Sequence, residues 1–225
     1  MAIIETYKGP SFALSSDLLK KKFVFFDFDG VIVDSFAPAF EVSKIICPSS
    51  SEEDYRRKFE GNINDWQQSE FLHDDKCRHD VDFPTEYLPR LRVQVRLFPG
   101  IDEVISTLAK SYTLIIISST FTAPIQELLE RYNLLSYFTE IMGNDVHKSK
   151  VEKIKMVFDK YNAKNTDCIF ITDTLGDMRE ASHTEVATIG VSWGFHMRET
   201  LMQGKPFKIV ESPNDLVSTV YEYFK

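Results

Sequence analysis

Apolar positions along the chain follow two rhythms. FVFF (23–26), TLIII (113–117), FTEIM (138–142), CIFIT (168–172), VATIGVS (186–192) and FKIV (207–210) are short, near-continuous apolar runs. Such runs mark strands buried on both faces. Between them the apolar residues recur at helical spacing: Ile101, Val104, Ile105 and Leu108; Ile125, Leu128, Leu129 and Tyr132; Val151, Ile154, Phe158 and Tyr161; Leu216, Val220 and Phe224. Pro124 falls where the first turn of a helix tolerates it. Ser212, Pro213 and Asp215 predict a capping box that opens the last helix. Strands alternating with helices predict an α/β fold with a parallel sheet covered on both faces.

Residues 36–97 break the rhythm. They are rich in charge and in aromatic residues, and poor in β-branched runs. SEED (51–54) reads as a capping box ahead of Tyr55 and Phe59. The segment reads as a helical cap inserted after the first strand, with FPG (98–100) as the return hinge. The expected division is a core over 1–35 and 98–225 and a cap over 36–97.

In an open parallel sheet, ligands bind outside the carboxyl ends of the strands. The first strand is followed by Asp27, Asp29 and Gly30, the second by Ser118, Ser119 and Thr120. The third leads to Gly143, Asn144 and Asp145, then Lys148 and Lys150; the fourth leads to Thr172, Asp173, Thr174, Gly176 and Asp177. Clustered carboxylates repel and need a cation. An all-oxygen donor set suits Mg²⁺, a hard ion that keeps waters and shares substrate phosphate. Serine and lysine donors can hold the remaining phosphate oxygens. One carboxylate can attack phosphorus and form an aspartyl-phosphate. A second can protonate the leaving oxygen and later deprotonate water.

Composition narrows the partners. The formal net charge is −8, which disfavours a nucleic-acid partner while leaving room for a small phosphorylated metabolite in a locally positive pocket. The three cysteines, Cys47, Cys77 and Cys168, are scattered and match no zinc spacing, which fits a reducing compartment, with Cys168 in the core. No apolar stretch approaches a membrane span, and MAIIETYKGP lacks a signal-peptide pattern. A cytoplasmic protein is expected; its oligomeric state is not legible.

The motifs resemble those of the haloacid dehalogenase-like superfamily, and specifically its phosphoglycolate phosphatase-like members with a small helical cap. DFDGVIVDS matches the opening motif DxDGxxxD[ST] at Asp27, Asp29, Gly30, Asp34 and Ser35. IIISS supplies the hydroxyl motif at Ser118, GNDVHKSK the lysine, and TDTLGD the acidic motif at Asp173 and Asp177, with Thr172 in place of the usual glycine. For the lysine, spacing favours Lys150, with Lys148 as rival. GVSWGFH resembles the same stretch in phosphoglycolate phosphatase-like members. The resemblance implies a Rossmann-like core and a Mg²⁺-dependent phosphatase for a small phosphate monoester, phosphoglycolate-like or a sugar phosphate. Asp27 would be the nucleophile and Asp29 the general acid/base. Mg²⁺ would be held by Asp27, the Asp29 carbonyl and Asp173, with Asp177 bound to it directly or one layer out. Ser118, Ser119 and Lys150 would hold the phosphate.

Other readings stand beside this one. Asp29 argues against a dehalogenase, and no cap lysine is marked for a phosphonate hydrolase. A sugar-phosphate mutase shares the fold, but FEGNIND (59–65) lacks a basic loop pattern. A phosphoacceptor domain or an inactive interaction module would not turn over phosphate esters. Lys148, Lys150, Lys153 and Lys155 form a run that is mostly solvated surface. Arg56, Arg57, Lys58, Asn62 and Trp66 read better as a helix face and a core tryptophan than as a substrate pocket. His73 and His79 read as surface, and His196 falls near the predicted site edge.

Overall fold

The computed structural model describes residues 21–65 and 76–225. Trp66 and His73 lie outside them. Eight strands are present among the described residues: β1 (Phe23–Phe26), β2 (Val33–Asp34), β3 (Arg96–Leu97), β4 (Thr113–Ile117), β5 (Phe138–Met142), β6 (Cys168–Thr172), β7 (Ala187–Val191) and β8 (Lys208–Val210). The α-helices are α1 (Phe36–Ile46), α2 (Glu52–Arg57), α3 (Phe83–Val93), α4 (Ile101–Leu108), α5 (Thr122–Arg131), α6 (Lys150–Tyr161), α7 (Leu175–Ser182), α8 (Arg198–Met202) and α9 (Asn214–Tyr223). Six strands form one parallel sheet in the order β5-β4-β1-β6-β7-β8. This is the α/β arrangement that the apolar rhythm predicts and the Rossmann-like core that the resemblance implies.

Side chains of β1 alternate between two cores. Val24 and Phe26 pack with Ile105, Leu114 and Ile116 on one face. Phe23 and Phe25 pack with Ile115, Phe170 and Val157 on the other. Period-two alternation makes each strand residue answer to one helical layer. Phe25 has no exposed surface, so truncation to alanine would cost about 3–5 kcal/mol.

β1 lies between β4 and β6, with Phe26 level with Ile116 and Ile171. The chain runs outward from β1 to β4 and β5, then crosses back to β6 on the other side. This reversal of strand order places a crevice at the carboxyl end of β1. Residues 36–95 carry α1, α2 and α3 and are entered and left through the antiparallel ribbon of β2 and β3. The ribbon, Val33 against Leu97 and Asp34 against Arg96, is too short for periodicity to reveal. Ser51 and Asp54 form the capping box at the start of α2. Ser212 does not form one: Pro213 already has helical backbone angles and stands at the N-cap of α9 without a side-chain cap bond.

Cys47 and Cys77 are joined in a disulfide, against the expectation of a reducing compartment; their separation of 30 residues hid the contact. Cys168 is buried and free. No helix among the described residues is long and apolar enough to cross a membrane.

Candidate active site

Register builds the floor of the crevice. Because Phe26 pairs with Ile116 and Ile171, the residues that follow these strands emerge side by side. The Asp27 amide donates to the Ile171 carbonyl at 2.9 Å, extending the ladder by one residue. Asp27 Oδ1 then accepts the Phe28 amide at 2.7 Å, and Oδ2 faces Lys150 Nζ at 2.9 Å. Lys150 opens α6, so the sheet edge and a helix start meet here. The same Nζ donates to Asp177 Oδ2 at 2.7 Å, which also accepts the Thr172 hydroxyl at 2.7 Å. Lys150 is 2% exposed and faces both carboxylates, whereas Lys148 is exposed.

Electrostatics follow from burial. Burial would strip Lys150 of its charge, but Asp177 and Asp27 more than offset this and hold it above its ordinary value. Burial raises Asp27 well above the carboxylate range; Lys150 opposes the shift, while Asp177 and Asp173 add to it. Burial also pushes Asp173 up to about 7, against the pull of the Phe195 amide and with repulsion from Asp177 added. Asp177 is held low in spite of burial, because Lys150, Asp27 and Thr172 favour its anion. Three carboxyl groups, Asp27, Asp173 and Asp177, thus share the field of one buried ammonium.

Asp173 has no exposed surface. Its Oδ2 accepts the Phe195 amide at 2.7 Å, and its Oδ1 is buried without a hydrogen-bond partner. Gly30, at φ +72°, and Gly194 close on this carboxylate so tightly that a Cβ would come within 1.9 and 2.3 Å of Oδ2. An orphaned buried anionic oxygen among oxygen donors fits a hard cation. Among the described residues, however, no three acidic, histidine or cysteine side chains converge as a ready-made cage. Lys150 stands between Asp27 and Asp177, and the Asp29 side chain points elsewhere.

Asp29 has neutral partners. Thr120, just beyond β4, donates to Oδ2 at 2.6 Å, and Tyr87 of α3 donates to Oδ1 at 2.6 Å. Burial and the Asp29 charge keep the Tyr87 phenol well above its ordinary value, so it remains a donor. Ser118 lies at the cleft with its Oγ accepting the Thr120 amide at 3.0 Å, and Ser119 is half-buried beside it.

Three residues at this site were missed in the sequence. Lys153 is fully buried and donates to the Ser118 carbonyl; burial and Lys150 lower it to about 8. It stands three residues after Lys150, hence on the same helix face, and that spacing was the available signal. Glu180 accepts the Lys150 amide at 2.9 Å and anchors the start of α6. Tyr87 carried no mark in a single sequence.

The inserted segment forms the far wall of a cleft of about 590 Å³. Tyr55, Lys58, Phe59, Phe83 and Leu88 face Asp27, Asp29 and Lys150 across it. The surface reading of the cap therefore fails in part. Lys58 lines the cleft, Arg56 stacks on the Phe36 ring at 3.8 Å, and Asn62 donates to Glu180 at 3.1 Å. Arg57 and His79 are exposed, His79 at the rim of the cleft. His196 does not reach the carboxylates. Its Nδ1 accepts the Leu175 amide at 2.9 Å, so its Nε2–H donates to the Arg56 carbonyl at 2.8 Å and ties the inserted segment to α7. Nearby, a Cβ on Gly176 would lie 2.2 Å from the Gly61 carbonyl oxygen.

The family model for haloacid dehalogenase-like hydrolases matches residues 24–191. The chain belongs to that family. A phosphoglycolate phosphatase of Synechococcus elongatus is 24% identical, over 90% of this chain and 98% of its own. The probable phosphatase IndB of Dickeya dadantii is 28% identical, over 91% and 96%. Among solved structures, a hydrolase from Pseudomonas syringae superposes with a TM-score of 0.73 at 19% identity, over 89% of this chain and 98% of that one. A haloacid dehalogenase-like family protein from Streptococcus pneumoniae gives 0.67 at 22%, over 91% and 98%. This member of the haloacid dehalogenase-like hydrolases is phosphoglycolate phosphatase-like and an enzyme of the phosphatase kind.

Proposed function

We propose that the protein is a Mg²⁺-dependent phosphatase that hydrolyses a small phosphate monoester through an aspartyl-phosphate on Asp27. The observation that carries this reading is Lys150, whose one ammonium lies 2.9 Å from Asp27 and 2.7 Å from Asp177 on the floor of the cleft, with Asp29 two residues beyond the nucleophile. Asp27 Oδ attacks phosphorus as the bond to the leaving oxygen breaks, and that oxygen takes a proton from Asp29. Water then attacks phosphorus, gives its proton to Asp29 and displaces the Asp27 carboxylate. Ser118, Ser119 and Lys150 hold the phosphate oxygens and offset their charge. Asp27, the Asp29 carbonyl, Asp173 and Asp177 would hold Mg²⁺, which supplies charge neutralisation at the phosphate.

The segment 36–97 acts as the cap that selects the leaving group, over a core of 1–35 and 98–225. Two-carbon phosphoglycolate is the substrate named for the Synechococcus relative. The cleft of about 590 Å³ is of the size that encloses drug-sized ligands, and its wall is mainly apolar. This supports a metabolite whose leaving group has an apolar body. The compartment we propose is the cytoplasm, where such charged esters are retained. The Cys47–Cys77 disulfide counts against this, since such bonds belong to oxidising surroundings; thiol titration of freshly isolated protein decides, three free thiols supporting the cytoplasm and one overturning it.

The test is phosphate release from a panel of metabolite phosphates with and without Mg²⁺. Release is expected to need the ion, and Asp27→Asn to reduce it to background with the fold intact. An Asp27→Asn protein that still turns over would end the proposal.

A further inference from the structure

Asp29 is tied from two directions. One donor, Thr120, belongs to the sheet edge, two residues after Ser118. The other, Tyr87, stands on α3, inside the segment whose chain leaves and re-enters the core through the two-residue strands of the ribbon. Tyr87 is 6% exposed, and its ring packs against Phe83 with centroids 5.4 Å apart. Both hydrogen bonds are 2.6 Å long, in the range of charge-assisted O–H···O⁻ contacts. One donor on each oxygen fixes the plane of the carboxylate and leaves the second lone pair of each oxygen for other partners.

We propose that Tyr87 is a positioning residue: its phenol, delivered by the cap, sets the Asp29 carboxyl in the orientation that passes a proton to the leaving oxygen. The inference rests on the reading of Asp29 as general acid/base. Tyr87 is assigned no contact with phosphorus or the leaving group. It acts through Asp29, and it does so only while α3 is seated against the core. The cap thereby completes the acid as well as enclosing the substrate.

Tyr87→Phe keeps the ring and removes the single donor. The readout is kcat/KM for two esters, p-nitrophenyl phosphate and a simple alkyl phosphate, because kcat/KM reports the step in which the leaving group departs. Nitrophenolate departs without help, whereas an alkoxide needs the proton. A correctly placed acid contributes roughly 10²–10⁴-fold, so a misaimed one is expected to lose about tenfold on the alkyl ester and less than about threefold on the nitrophenyl ester. Thr120→Val, which removes the other donor, should show the same bias. A merely structural role would lower both esters equally; that result, or no loss on either, overturns the proposal. Asp29→Asn is run alongside. If it shows the bias and Tyr87→Phe does not, the role of Tyr87 alone falls. If Asp29→Asn shows no bias, the reading of Asp29 falls and takes the inference with it.

Discussion

The floor of the cleft and its far wall are stabilised by opposite means. On the floor, Asp27, Asp173 and Asp177 crowd round one lysine at 3 Å or less from two of them, and each raises or lowers its neighbours. Across the cleft, rings and hydroxyls take a larger share, although Arg56 also pairs with Glu52 at 3.5 Å. Tyr87 answers Asp29, the Phe36 ring lies under Arg56, and Lys58 lies 5.4 Å from the centre of the Tyr55 ring. Charges in the low dielectric of the floor are strongly coupled, so a change to one is felt by all. Hydroxyls and rings transmit little of this. The floor is therefore built for chemistry that moves charge, and the wall for choosing what is carried there.

The sharpest way to break this comparison is to remove the lysine. Lys150→Met leaves two buried carboxylates facing each other. A loss of about 3–5 kcal/mol in urea unfolding is expected, together with activity. Lys153→Met, on the same face of α6, removes a donor to the Ser118 carbonyl together with an attraction to Asp27, Asp177 and Glu180 that no direct ion pair among the described residues backs, and should cost about 1–3 kcal/mol. Equal losses would mean that burial, and not coupling, sets the cost. On the wall, Lys58→Met should change KM for esters with bulky leaving groups by less than about tenfold and leave kcat near wild type, as expected where only uniform binding is lost. A fall in kcat would erase the distinction between floor and wall.

The smallest effect is on pH dependence in protein stripped of divalent ions. Asp173 is pushed up to about 7 in the folded protein from an ordinary 3.8. Between these values the folded state keeps a proton that the unfolded chain has released. Stability from this group is complete below the lower value and lost as pH rises through the upper one. Asp27 acts in the same direction. The thermal midpoint should fall from pH 5 to pH 8, less so in Asp173→Asn, and Mg²⁺ at pH 8 should restore it.

The floor was legible because Asp27, Ser118 and Asp173 directly follow apolar runs, and a parallel sheet brings strand ends together whatever the length of chain between them. Ser118 follows TLIII and Asp173 follows CIFIT, and their neighbourhood with Asp27 needs only the strand order. Lys153 escaped because a run of lysines looks solvated until the helix is rotated into place. The wall was opaque for another reason. Tyr87 meets Asp29 across 58 residues, and only the docking of α3 creates the contact. Cys47 and Cys77 met unannounced for the same reason.

The bare contact of Gly176 with the Gly61 carbonyl gears two properties together. Any side chain at Gly176 would act as a wedge, prising the upper storey away from α7 and widening the chamber. The same tilt would withdraw α3 and lift the phenol off its acid. Accommodation of a larger ester therefore has to come from carving side chains out of the wall, because stretching the joint would trade reactivity for room.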